Sequence, residues 1–88
     1  MTHPYSIFIW QPNKRGGGGR WIEPVQASTQ EYALYVANLI HQDSRSVIKV
    51  VRYGVILASF PNKETVDRIE RYLAKQGYDQ RNLLEHKI

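Results

Sequence analysis

Apolar residues in this chain fall into blocks separated by proline, asparagine and glycine, and the spacing inside each block indicates its element. Tyr5–Trp10 (Y-S-I-F-I-W) is a β-branched and aromatic run, opened by Pro4 and stopped by Gln11-Pro12-Asn13, which predicts a strand bounded by turn residues. Residues 11–19, ending in four consecutive glycines at 16–19, predict a loop, because glycine loses the most backbone freedom on ordering. Trp21–Ala27 reads as a second strand, with Pro24 placed at an edge or bulge since it cannot donate to a ladder.

Ser28-Thr29-Gln30-Glu31 has the form of a capping box, with Ser28 as cap and Glu31 reaching back to it. Tyr32, Tyr35, Val36, Leu39 and Ile40 follow at helical spacing and predict one apolar face up to about His41 or Gln42, with Asp43-Ser44-Arg45 as the way out. Val47–Phe60 is the strongest β signal, two apolar runs around Arg52-Tyr53-Gly54. A two-residue Tyr-Gly turn places a bulky tyrosine at positive φ, whereas a three-residue loop asks this only of Gly54. The three-residue register pairs Val51 with Val55 and Val50 with Ile56. It gathers Ile48, Val50, Ile56, Ala58 and Phe60 on one core face. The opposite face then holds Val47, Lys49, Val51, Val55, Leu57 and Ser59, too apolar for a freely solvated sheet face.

Pro61-Asn62 leads into a second helix with Val66, Ile69, Tyr72 and Leu73 on one side. Gly77 suits the position after its end, and Tyr78 suits an apolar contact back onto Leu73. Residues 79–88 read either as a helical turn or as a short edge strand. The expected fold is a single α+β domain over residues 1–88, of order ββαββα, with an antiparallel four-stranded sheet and two helices on one face. The alternative is a ferredoxin-like βαββαβ plan, with the tail as last strand and Tyr5–Trp10 as an addition.

Composition narrows the function. The 88 residues contain no cysteine, which excludes disulfides, thiolate metal sites and cysteine nucleophiles, and fits a reducing, cytoplasmic location. No leader-like N-terminus or apolar run of about 20 residues is present, so neither membrane insertion nor a membrane partner is expected. The net charge of +4 is unevenly spread. Residues 1–22 carry Lys14, Arg15 and Arg20 without an acid, residues 23–43 carry only acids, and residues 44–60 carry only Arg45, Lys49 and Arg52.

Arg15-Gly-Gly-Gly-Gly-Arg20 is no phosphate-binding loop of the nucleotide-hydrolase type, which needs a lysine and a hydroxyl residue after the glycines and then a helix. It reads instead as a basic arm presenting Lys14, Arg15 and Arg20, with Trp10 and Trp21 near its base for stacking. Arg45, Lys49 and Arg52 form a second basic set on the other hairpin. Their companions Val47, Val51, Val55 and Leu57 are aliphatic, which favours a protein or subunit interface over base stacking. Exposed Tyr35 or Tyr53 would serve as a partner anchor. His3, His41 and His86 lack paired spacing, and His41-Gln42-Asp43-Ser44 places triad residue types too close together to form a relay, so neither metal nor catalysis is indicated. Glu64, Asp67 and Glu70 read as surface partners of Arg68, Arg71 and Lys75. The expected function is a non-enzymatic protein-binding module, a regulator, adaptor or inhibitor, working as a homodimer without a small-molecule cofactor. The alternative is nucleic-acid binding through the glycine-rich loop and the hairpin.

Overall fold

The computed structural model describes residues 3–15 and 17–76. The expected positions of Gly77 and Tyr78, His86 and the tail at 79–88 lie outside these residues. The elements are β1 (Tyr5–Pro12), β2 (Gly19–Ala27), α1 (Gln30–Ser44), β3 (Ile48–Arg52), β4 (Val55–Phe60) and α2 (Lys63–Lys75). They form an α+β fold of order ββαββα around a four-stranded antiparallel sheet, β2-β1-β3-β4. β1 therefore lies inside the sheet between β2 and β3, not as the addition that the ferredoxin-like alternative requires. β2 is an edge strand, and its pairing shifts between Ile7 and Ile9, which brackets Pro24 as its chemistry demands.

The two helices lie on opposite faces, which corrects the expectation that one face carries both. Tyr5 and Ile7 of β1, Ala27 of β2 and Ile48 and Val50 of β3 join Ala33 and Ala37 of α1 in the main core. Lys49 points the other way, as strand alternation requires, and its ammonium meets Glu70 of α2. Since β3 is buried on both sides, a single layer of helices could not have covered it.

α1 departs from expectation in its cap and its buried face. The cap is Thr29, one residue after Ser28: its hydroxyl accepts the Tyr32 amide at 3.2 Å. Glu31 then falls in the first turn, where a negative charge complements the helix dipole. The helix runs to Ser44, whose hydroxyl donates to the Ile40 carbonyl, and Arg45 closes it at φ 60°. Against the sheet lie the small residues Ala33 and Ala37, with Leu34, Val36 and Ile40 packed around them. Tyr32, Tyr35 and Leu39 are exposed. The helix carries two apolar stripes, and the sheet takes the one whose small side chains allow close approach.

The β3–β4 turn also differs. Arg52 pairs with Val55, so the turn has two residues, with Tyr53 at φ 48° and Gly54 at φ 83°. Both central residues at positive φ make a turn whose twist matches the strands it joins, and that match outweighs the local cost at Tyr53. The partners then jump from Val51–Ile56 to Val50–Ala58, leaving Leu57 as a bulge. The bulge keeps Ala58 and Phe60 on the core face with Val50 and Ile48, and it moves Ile56 to the side of Val51. α2 begins as expected: Asn62 Oδ1 accepts from the Thr65 amide at 2.9 Å.

Candidate functional site

The residues picked out in sequence separate into three places. The first is the second face of the sheet. Lys49 is 1% exposed, and its Nζ lies 3.0 Å from Glu70 Oε1. It also sits over the rings of Phe8 and Trp21, at 5.2 and 4.6 Å from their centroids. Glu70 Oε2 accepts the Trp21 indole N–H at 2.9 Å, and Trp10 meets Trp21 edge to face with centroids 5.2 Å apart. Lys49, Trp10 and Trp21 are thus engaged inside the chain. Burial lowers the pKa of Lys49 against the opposing charge and hydrogen bond of Glu70. Val51, on the same face, is buried too.

Glu70 is the residue that the sequence reading assigned wrongly. The surface pairs are Lys63–Asp67 and Glu64–Arg68, whereas Glu70 bonds to β3 and β2. A signal was present: Glu70 stands four residues after Val66 and three before Leu73, on the apolar stripe of its helix. A carboxylate there needs a buried partner, and Lys49 is flanked by Ile48 and Val50 in a strand buried on both faces.

The second place is the β1–β2 tip. Lys14, Arg15 and Arg20 are all exposed. The loop is closed by Asn13, whose backbone N–H donates to Gly18 O at 2.9 Å and whose side chain donates to Gly17 O at 3.1 Å. Gly18 has φ 83°, and a Cβ there would run into the Tyr72 side chain of α2. Between this tip and the end of α2 opens a cleft of about 490 Å³, lined by residues that include Arg20, Trp21, Tyr72 and Leu73.

The third place is the β3–β4 hairpin. Tyr53 is 76% exposed and Val55 60%, and Leu57 is exposed at its bulge. Arg52 lies over the rings of Tyr5 and Tyr53. Val47 is half-buried, and its carbonyl accepts the Trp10 amide at 2.8 Å. The four expected interface residues therefore divide, with Val51 inside, Val47 at the boundary, and Val55 and Leu57 outside. Among the described residues β4 is paired on one side only, and its sequence V-I-L-A-S-F has no charge and no proline.

The triad-like segment is taken up by local structure. His41 Nδ1 lies 2.8 Å from Ser46 O, and the Ser44 hydroxyl serves the end of α1. Among the described residues no three His, Asp or Glu side chains gather as metal ligands, and no helix is long and apolar enough to cross a membrane. Compared with known protein families, curated proteins and solved structures, the chain matches no family model, no curated protein and no solved structure.

Proposed function

We propose that this chain is a non-enzymatic protein-binding module, a regulator, adaptor or inhibitor, that acts as a homodimer joined through β4. The observation that carries the reading is the outer edge of β4, an uncharged strand with Tyr53, Val55 and Leu57 exposed around it. Open strand edges recruit further strands, and natural proteins guard them with proline, charge or irregular pairing. Both edge strands pair irregularly, but the other edge, β2, also carries proline and charge in Pro24, Arg20 and Glu23, which β4 lacks.

A second copy fits β4 because antiparallel pairing of identical strands obeys two-fold symmetry, each copy giving the same patch. Chains of net charge +4 repel each other in general, yet an edge without charge lets them meet where repulsion is weakest. Tyr53 and Tyr35, 76% and 61% exposed, supply aromatic anchors for the macromolecule that the dimer occludes or bridges. The absence of cysteine supports a cytoplasmic setting.

Light scattering across micromolar concentrations tests the dimer. The expected result is a dimer that Val55→Lys with Leu57→Lys converts to a folded monomer. A wild-type chain that stays monomeric at every concentration overturns the reading.

A second reading is supported by Lys14, Arg15 and Arg20, exposed together and without an acidic partner among the described residues. They suit the phosphates of a nucleic acid. The internal commitment of Lys49 to Glu70 and of Trp10 to Trp21 makes this the weaker of the two. Affinity for an oligonucleotide should then fall steeply with salt, and salt-independent affinity rules it out.

A further inference from the structure

The β1–β2 loop, through Asn13 and Gly19, also shapes a cleft. We propose that the cleft between this loop and the carboxyl end of α2 binds a nucleotide, with the phosphate at Arg20 and the base against Trp21 and Leu73. It lies toward the β2 edge of the sheet, away from the β4 edge, so it stands or falls independently of the dimer.

The first support is its construction. A cleft of about 490 Å³ lies within the range of about 300–1,000 Å³ typical of small-molecule sites. One wall is apolar, from Trp21 and Leu73, while Asn13, Arg20, Tyr72 and Gln76 supply polar groups. Gly18 suits the place where the loop meets α2, because its φ of 83° disfavours any side chain and an added Cβ would have to push the Tyr72 hydroxyl aside. Trp21 is held by Glu70 and Trp10, so it offers a fixed wall without an ordering cost on binding.

The second support is charge. Among the described residues, Arg20 is the only formally charged one lining the cleft. Its Nε donates to the neutral Gln11 Oε1 at 3.4 Å, and no carboxylate pairs with it among the described residues. Lys14 and Arg15 stand on the same loop. Glu70, the carboxylate that holds Trp21, is compensated by Lys49. This end of the cleft therefore favours an oxyanion, which a guanidinium binds with two parallel hydrogen bonds.

Gln76 also lines the cleft, and its side-chain amide offers a planar donor and acceptor. A group that meets it should be neutral and planar, with N–H donors and acceptors of its own. An oxyanion joined to a flat ring with amino groups describes a nucleotide better than an acidic peptide or a fatty acid.

The test uses the full chain and tryptophan fluorescence, with adenosine monophosphate, adenosine, inorganic phosphate and a single-stranded oligoadenylate as probes. Adenosine monophosphate should give a saturable change, and adenosine and phosphate should each bind about tenfold more weakly or worse. Arg20→Gln should weaken the nucleotide by about tenfold and leave adenosine unchanged, the weight of one charge-assisted hydrogen bond. Tyr72→Phe, which keeps the ring, should weaken the nucleotide without altering the far-ultraviolet circular dichroism. Oligoadenylate binding with the same Arg20 dependence identifies a strand as the source, and binding confined to the mononucleotide identifies a free metabolite. No saturable change up to about 10 mM mononucleotide, or equal binding of inorganic phosphate alone, overturns the proposal.

Discussion

The two faces of the sheet are covered by helices of similar length, yet they are held in different ways. Under α1, Ile7, Ile48 and Val50 meet Ala33 and Ala37, without a charge among the buried residues. Under α2, a buried lysine, a carboxylate and an indole are joined by bonds of 2.9 and 3.0 Å. Packing of the first kind is non-directional and tolerates small sliding. Bonds of the second kind are met in one arrangement only. Glu70 therefore pins α2 simultaneously to the edge strand β2, through Trp21, and to the interior strand β3, through Lys49.

The largest expected effect breaks the polar face. Glu70→Ala leaves a buried ammonium and an indole N–H without their acceptor, and it should lower unfolding free energy by about 3–5 kcal/mol in urea denaturation. The paired change Lys49→Met with Glu70→Leu should cost little or even stabilise, because no charge is then stranded. A single Glu70→Ala costing under about 1 kcal/mol would erase the distinction between the faces. Next comes the apolar face: Ala37→Leu forces extra volume where α1 lies against the sheet and should cost about 1–3 kcal/mol.

Acidity sharpens the comparison further. The folded-state pKa of Lys49 is below its ordinary 10.5, because burial outweighs the attraction of Glu70. In the window between the lowered value and 10.5, the unfolded chain holds a proton that the folded chain has released. Stability from this group is thus greatest above 10.5 and is lost as pH falls through the lowered value. A carbon-13 titration of Lys49 should show a midpoint below 10.5, and Glu70→Gln, which removes the opposing charge, should lower it further. An unmoved midpoint in the variant would mean that Glu70 does not hold the charge of Lys49. The smallest effect belongs to neither face: Thr29→Ala removes the cap of α1 and should lower thermal stability by about 1 kcal/mol.

The elements of this fold were legible because each depends on local spacing. Pro4 ahead of β1, the glycines of its turn and the Asn62 start of α2 all act within a few residues, although Gln11 and Pro12 pair with Arg20 and Gly19 and carry both strands further into the expected loop. What the spacing hid was decided across the sheet. Tyr32, Tyr35 and Leu39 form as good an apolar stripe as Ala33 and Ala37 do, and only the closeness of the sheet selects the alanines. Tyr53 adopts positive φ because the twist of two paired strands overrides its own preference. Lys49 and Glu70 are separated by twenty-one positions, and neither alone reveals that it is half of a pair. The basic arm and the exposed hairpin were visible as compositions. The cleft was not, because it needs α2 to come back over β2.

The position of β1 has a consequence for synthesis of the chain. Tyr5 pairs with Ala27 on one side and with Arg52 on the other. The first partner emerges from the ribosome as part of a neighbouring hairpin, but the second follows only after α1. At about 5–20 residues per second, translation of residues 28–52 takes about 1–5 s. Throughout that interval the strand Y-S-I-F-I-W presents an open apolar edge. How safely a cell makes this protein is therefore a matter of elongation rate, and slow codons between Ser28 and Arg52 would lengthen its most aggregation-prone moment.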